Sequence, residues 1–460
     1  MATKSLTSQI TFKEQLSLID NNNAQHALIA NGRQQELWDI VVDEEKRSID
    51  LLHQPDSLLD RQHSKRTPAI FSFFAGAGLL DLGFEHHGFK IAYVNEFYSP
   101  FLDAYRYARK HLDISTPEYG YYAGSAVDLT AGKQKNHLTE LIKDARRTSD
   151  IIGFIGGPPC PDFSIGGKNR GHEGDNGKLS ATYIELICQQ RPDFYLFENV
   201  KGLWKTKRHR AFYEELKRIT QEDYVTTEIL ANAIEYGTPQ DRERIILLGF
   251  RKDLLTDITT RPVSSLSFPW ERYAKYSAKN VFASRWPATN PFEENSSMPP
   301  LEGIIEELTV EFWFRRNEVI NHPNAAQHFK PKAGLVRFAS VPEGDDSKKS
   351  FKRLHRWRFS PTACYGNNEV HLHPYKIRRI SVAEALAIQS LPKTFTLPQS
   401  MTLTDAFKAI GNGVPYLMAA ALAQTILDFL GGLYDETDSI QYRFGNRTTA
   451  QEPHLPICQP

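Results

Sequence analysis

Residues 67–255 alternate short apolar runs with helical patterns, and this alternation constrains the fold more than any other feature of the chain. Apolar runs at 69–74, 91–95, 151–155, 194–197, 225–230 and 244–250 read as strands. Helical spacing fills 79–88, 101–111, 138–146, 181–190 and 210–220. Repeated strand–helix–strand order implies a doubly wound α/β sheet. In such sheets ligands bind beyond the carboxyl ends of the strands. The residues just past each apolar run are therefore the candidates for chemistry.

The rest of the chain divides by pattern. Residues 1–66 are polar, with a helix expected around 34–53, and form an N-terminal extension to which no chemistry is assigned. Residues 67–255 form the α/β domain. In 256–370 Pro, Ser, Asn and basic residues break every period, so this stretch is expected to be a separate, irregular module. Helical pattern returns at 382–390 and 414–430, which sets 371–435 apart from the irregular module as a C-terminal helical part, with 436–460 as a loose tail.

Composition narrows the class. With 40% hydrophobic and 24% charged residues the chain has an ordinary globular balance. No run approaches the roughly 18 apolar residues of a membrane helix, and the N-terminus lacks an apolar signal core, so no membrane partner is expected. The four cysteines have no zinc-ligand or disulfide-framework spacing. That points to a reduced compartment, no metal, and room for a free reactive thiol. The net charge is zero, so nucleic-acid binding would need a local basic surface. One candidate is the run from Arg315 to Arg358, with eleven lysines and arginines and few acids.

The first apolar run ends in Gly76-Ala-Gly78, a tight turn that would let a ligand approach the backbone. Asp81 stands where a third glycine would complete a dinucleotide fingerprint, so the turn alone is weak evidence. The next strand ends at Glu96, where a ribose hydroxyl pair would be bound. Asp128 could accept from an adenine amino group. Together these suit a nucleoside cofactor lacking bridging phosphates.

The segment 151–164 is the most telling. A buried strand runs into Gly157-Pro-Pro-Cys160, where prolines stiffen the turn and present a thiol at the carboxyl edge of the sheet. A thiolate there is a candidate nucleophile. Five glycines between 166 and 177 suit a mobile lid. A further strand ends at Glu198, a general acid if burial raises its pKa. Alternation in the extended segment 240–244 puts Gln240, Arg242 and Arg244 on one side. The two arginines could hold a base oxygen, a phosphate or the catalytic acid.

The ordered set of these motifs closely resembles the DNA (cytosine-5) methyltransferases. It comprises Phe74-x-Gly76-x-Gly78, Glu96, Gly157-Pro-Pro-Cys160, Glu198-Asn-Val200, Gln240-x-Arg242-x-Arg244, Arg378 to Glu384, Gln389 to Pro392, and Gly411-Asn-Gly-Val-Pro415, spanning about residues 67–430. The resemblance implies a Rossmann-like S-adenosylmethionine-dependent methyltransferase fold. It also implies an inserted irregular target-recognition domain between Arg244 and Arg378, and a last helix that packs beside the first motif. Phe74, Gly76, Gly78, Glu96, Phe97, Asp128, Pro158, Asn412 and Val414 would bind S-adenosylmethionine. Cys160 would attack C6 of a flipped cytosine, Glu198 would contact N3 and the exocyclic amine, and Arg242, beside Arg244, would stabilise the O2 side. Two departures stand out: Pro161-Asp162 replace the family's usual Gln after the Pro-Cys, and Leu391 stands where Phe is common.

The architecture resembles that of bacterial restriction–modification methylases. This implies double-stranded DNA as substrate, a cognate endonuclease as functional partner, monomeric action on DNA, and the bacterial cytosol as location. An RNA cytosine-5 methyltransferase shares such a core, but the long basic module favours sequence reading on DNA. A non-catalytic homologue is disfavoured because the Cys, Glu and Arg positions are all occupied by functional types. A nicotinamide oxidoreductase is disfavoured by Asp81 and the Pro-Pro-Cys loop.

Overall fold

A computed structural model of the chain describes residues 67–159, 175–258, 266–331, 335–348, 350–363, 365 and 370–431. The helix expected near 34–53, the Cys160 loop with its expected lid glycines up to Gly174, and the tail lie outside the described residues. The strands are β1 (Ala69–Phe73), β2 (Lys90–Asn95), β3 (Tyr121–Tyr122), β4 (Ile152–Gly156), β5 (Phe194–Val200), β6 (Tyr224–Asn232) and β7 (Glu243–Arg251). The helices are α1 (Leu79–Glu85), α2 (Ser99–His111), α3 (Gly132–Ala145), α4 (Asp175–Gln190), α5 (Lys207–Thr220), α6 (Lys252–Ile258), α7 (Ala278–Ala283), α8 (Val310–Arg316), α9 (Leu335–Ala339), α10 (Val382–Ile388), α11 (Leu403–Asn412) and α12 (Tyr416–Leu430).

The strands form one sheet in the order β3-β2-β1-β4-β5-β7-β6. All neighbours pair in parallel as far as β5, and β7 runs antiparallel between β5 and β6. The order reverses between β1 and β4, so their carboxyl ends open a crevice at the switch point. This is the expected Rossmann-like methyltransferase fold, with β7 as its antiparallel strand.

β1 is buried along its whole length, as a strand covered on both faces must be. Ile70 points into the layer of Phe84, Phe89 and α12, while Phe71 and Phe73 point into the opposite layer with Phe154 and Tyr183. The C-terminal helix does return to the first motif. Gly83 on α1 lies so close to α12 that a Cβ would stand 2.6 Å from the backbone of Ala419 and Ala420. The stretch Leu403–Leu430 is long and apolar enough to cross a membrane, yet 72% of its most apolar window is buried in the fold. It is also broken between α11 and α12 at Gly413-Val-Pro415.

The described residues between 266 and 370 form short helices and isolated bridges. Some of them are built into the main core: Val310, Trp313 and Phe314 share one cluster with Leu79, Leu82 and Phe101. The basic run is also only partly a surface. Arg353 is buried and donates to the carbonyls of Val341, Phe338, His373 and Lys376. Arg356 is buried in a two-pronged pair with Glu343.

Candidate active site

The turn after β1 is shaped by positive φ angles at Phe74 (54°), Gly76 (59°) and Gly78 (78°). A left-handed backbone is costly for an aromatic residue and marks a strained functional turn. Phe74 is braced there edge-on against Tyr183. Gly76 has no heavy atom within 4 Å of where a Cβ would stand, so the turn is open on that side. Gly78 is closed: a Cβ would strike Arg109 and Tyr105.

A buried polar network holds this turn from beneath. Arg109 donates to Gly78 O (2.7 Å), Ala77 O (3.3 Å) and Glu85 (2.9 Å). Asp81 accepts from Ser72 Oγ and Tyr105 OH, each at 2.9 Å. Burial raises the Asp81 pKa, with Arg109 and these two donors opposing. Asp81 thus replaces the missing third glycine with a structural anchor. No motif in the sequence singles out Arg109. Its signal was an arginine on the apolar face of α2, one turn beyond Tyr105.

Glu96 follows β2 directly. Its Oε2 accepts from Gly76 N (2.8 Å) and its Oε1 from Tyr98 N (2.7 Å), so it fastens the β1 turn to the β2 loop. Burial pushes its pKa up against those N–H groups. Beside it the Phe97 ring is 69% exposed. Asp128 sits on a one-turn helix, accepts from Tyr122 OH (3.2 Å), and lines an open depression with Val127 and Gly132. Pro158 is buried past the end of β4. Val414 is buried and Asn412 exposed, and between them a Cβ on Gly413 would strike Leu79 of α1.

The Glu198 carboxylate is buried at the end of β5 and paired with Arg244 Nε at 2.9 Å. It lies against Gly157, where a Cβ would stand 2.7 Å from Glu198 Oε2. Gly157 is three residues before Cys160, which lies outside the described residues. Burial raises the Glu198 pKa, outweighing the opposing charges of Arg244 and Arg242.

The two arginines separate in role. Arg244 faces the acid. Arg242 is fully buried and donates to Gly411 O (2.8 Å), Gly413 O (3.0 Å) and Ala363 O (3.3 Å). It thereby clamps the glycine loop that carries Asn412 and Val414. Gln240 joins the same seam through Gln389, whose own amide donates to Ile410 O.

Residues 69–428 match the family model described as C-5 cytosine-specific DNA methylase. The chain is 54% identical over 379 residues to the Type II methyltransferase M.NmeDI of Neisseria meningitidis serogroup C, covering 82% of this chain and 87% of that one. It is 29% identical over 372 residues to the Type II methyltransferase M.FnuDI of Fusobacterium nucleatum, covering 78% and 95%. Among solved structures, a prophage-encoded DNA modification methyltransferase of E. coli shares the fold at a TM-score of 0.52 and 22% identity, covering 79% of this chain and 99% of that one. The family match spans every strand of the sheet and both helices that close it, and the chain belongs to the C-5 cytosine-specific DNA methylases.

Proposed function

We propose that this DNA cytosine-5 methyltransferase takes its methyl group from S-adenosylmethionine, uses Cys160 as nucleophile and Glu198 as proton donor, and serves as the modification half of a restriction–modification system in the bacterial cytosol. The observation that carries the chemistry is the buried Glu198 carboxylate against Gly157, at the head of the Pro-Pro-Cys160 segment. A cognate endonuclease and monomeric action on double-stranded DNA belong to this reading.

The residues at the switch point fit the cofactor. The open side of Gly76 would admit a ligand to the backbone, and the Glu96 carboxylate, fastened to Gly76 N, would accept from a ribose hydroxyl. The exposed Phe97 ring offers a face to adenine and Asp128 an acceptor. Phe74, Gly78 and Pro158 shape the remainder, and Asn412 and Val414 close it from the C-terminal side. When bound, S-adenosylmethionine supplies the electrophilic methyl group that C5 receives.

Cytosine C5 is a poor nucleophile, and in a duplex it is stacked, so the base must be flipped out at a cost of a few kcal/mol. Attack of the Cys160 thiolate at C6 pushes electrons toward C5 and N3. Glu198, with its pKa raised by burial, delivers a proton at N3 as that charge develops. Arg244 holds the carboxylate in place during the transfer. After methylation the C5 proton leaves to water, Cys160 is eliminated as the thiolate, and N3 returns its proton to Glu198. Arg242 contributes by fixing the Gly411–Gly413 loop.

The test is transfer of labelled methyl from S-adenosylmethionine to genomic duplex DNA, with 5-methylcytosine mapped at base resolution. Label should fall in one short sequence motif. Cys160→Ala should abolish transfer and leave cofactor binding nearly intact. Turnover by that variant equal to the parent's would overturn the mechanism, and label in tRNA alone would move the substrate to RNA.

A further inference from the structure

The stretch just beyond Glu198 carries charge that the mechanism leaves unused. From Lys201 to Tyr213 the chain has five lysines and arginines and no acid. All five are exposed. Lys201 is held by Glu243 at 2.7 Å, and Arg210 lies over the Trp204 ring with Glu214 at 3.7 Å. Lys205 and Lys207 have no carboxylate partner among the described residues. Their placement is unfavourable within the chain itself. Lys207 opens the 14-residue α5 and Lys205 immediately precedes its cap Thr206, so both sit at the end where the helix dipole repels cations. Two exposed lysines without a carboxylate partner that work against their own helix are accounted for when a polyanion meets them.

The position of the cluster identifies that polyanion. The carboxyl ends of β1, β4 and β5 share one edge of the sheet, and the basic stretch leaves directly from β5. It is tied to the site through a short chain of contacts: Lys201 holds Glu243, and the next residue, Arg244, holds Glu198. A cytosine that reaches Glu198 must bring its phosphates to this rim. We propose that the rim from Lys201 to Arg210 is a backbone-phosphate contact surface for the DNA substrate, with Lys205 and Lys207 as its sequence-blind contacts. The inference rests on DNA being the substrate. It assigns to the catalytic domain part of the grip that the irregular module would otherwise carry alone.

Phosphate contacts release counterions, so each adds about 0.9 to the slope of log affinity against log salt concentration. Binding of a short mixed-sequence duplex to the full chain is measured over roughly 50 to 200 mM salt. The parent is compared with the double variant Lys205→Gln/Lys207→Gln, and with Lys110→Gln, an exposed lysine on α2, as control. The double variant should show a slope shallower by about 1.8, so that its affinity falls about tenfold less than the parent's over that range. Once the methylated motif is mapped, duplexes with and without it should lose the same amount. S-adenosylmethionine binding should be unchanged. A slope equal to the parent's, or a loss confined to the target duplex, overturns the inference. If the parent methylates plasmid DNA while the variant slope is unchanged, only this inference fails. If the parent methylates no DNA, the functional reading fails first.

Discussion

Glu198 and Arg242 show how two residues from adjoining motifs divide their work. Burial holds the Glu198 pKa above its ordinary value despite two nearby arginines. The proton-donating form therefore prevails below the raised pKa and is lost as pH rises through it. Methyl transfer should accordingly fall on the alkaline side of its profile, and Glu198→Gln, which cannot ionise, should lose that limb. The loss in rate should be about 10²–10⁴-fold, the range for a general acid. An unchanged alkaline limb in Glu198→Gln would assign the titration to another group. Arg242 is distinguished by a different readout. Its guanidinium is committed to the carbonyls of Gly411, Gly413 and Ala363. Leaving buried acceptors unmet costs about 1–3 kcal/mol each. Arg242→Met should therefore lower thermal stability and weaken cofactor binding together. A variant with full stability and cofactor affinity but reduced kcat would return Arg242 to the base. The role was not legible from alternation alone, because facing the same side as Arg244 does not say which partners a long side chain reaches.

Among the elements, the contact between α1 and α12 decides whether the cofactor turn holds its shape. Gly83→Ala should raise intrinsic helix stability by about 1 kcal/mol. The added Cβ, however, would meet backbone at 2.6 Å, and a main chain packed in a core cannot rotate away. Overpacking of that kind costs about 1–3 kcal/mol, so the net effect should be a loss. Since α1 begins at the Gly76-Ala-Gly78 turn, affinity for S-adenosylmethionine should fall as well, measured by calorimetry beside a melting curve. A variant as stable as the parent would mean the two helices slide freely. The elements were legible where local pattern suffices: buried β1, β4 and β5 read as apolar runs, and α10 read from helical spacing. The antiparallel insertion of β7 was not legible, because a strand's own residues do not encode which neighbour it joins. α11 falls outside the expected helices although its signals are present, with Thr402 capping Asp405 N and Ala406, Phe407, Ala409 and Ile410 facing the core.

For the whole molecule, the fold joins both ends of the matched region: β1 and α1 come from its start and α11 and α12 from its end, α1 packs on α12 through Gly83, and Arg242 and Gln240 hold the C-terminal part to the segment before β7. Six carboxylates of the fold are shifted in opposite senses. Asp81, Glu85, Glu96 and Glu198, around the sheet edge, have pKa values raised first by burial. Their contribution to stability is fully present below the unfolded values and is lost as pH rises through the folded ones. Glu343 and Glu384 have lowered values: burial alone would raise them, but Arg356 and its backbone N–H overcome it for Glu343, and His373 and Arg378 overcome it for Glu384. Their contribution is present above the ordinary value of 4.5 and is lost as pH falls below it. Glu384 also completes the cap of α10 with Ser381, so its protonation loosens a helix start as well as an ion pair. Acidification should therefore open the 343–384 region first while the sheet around β1, β4 and β5 holds. Amide hydrogen exchange, expressed as protection factors at a series of pH values from neutral to below 4.5, reads this directly. Protection should drop in α10 and the strand-like contacts around Glu343 before it drops in β1. Loss of protection in β1 first, or in both at once, would mean that the Glu343 and Glu384 pairs do not govern acid stability.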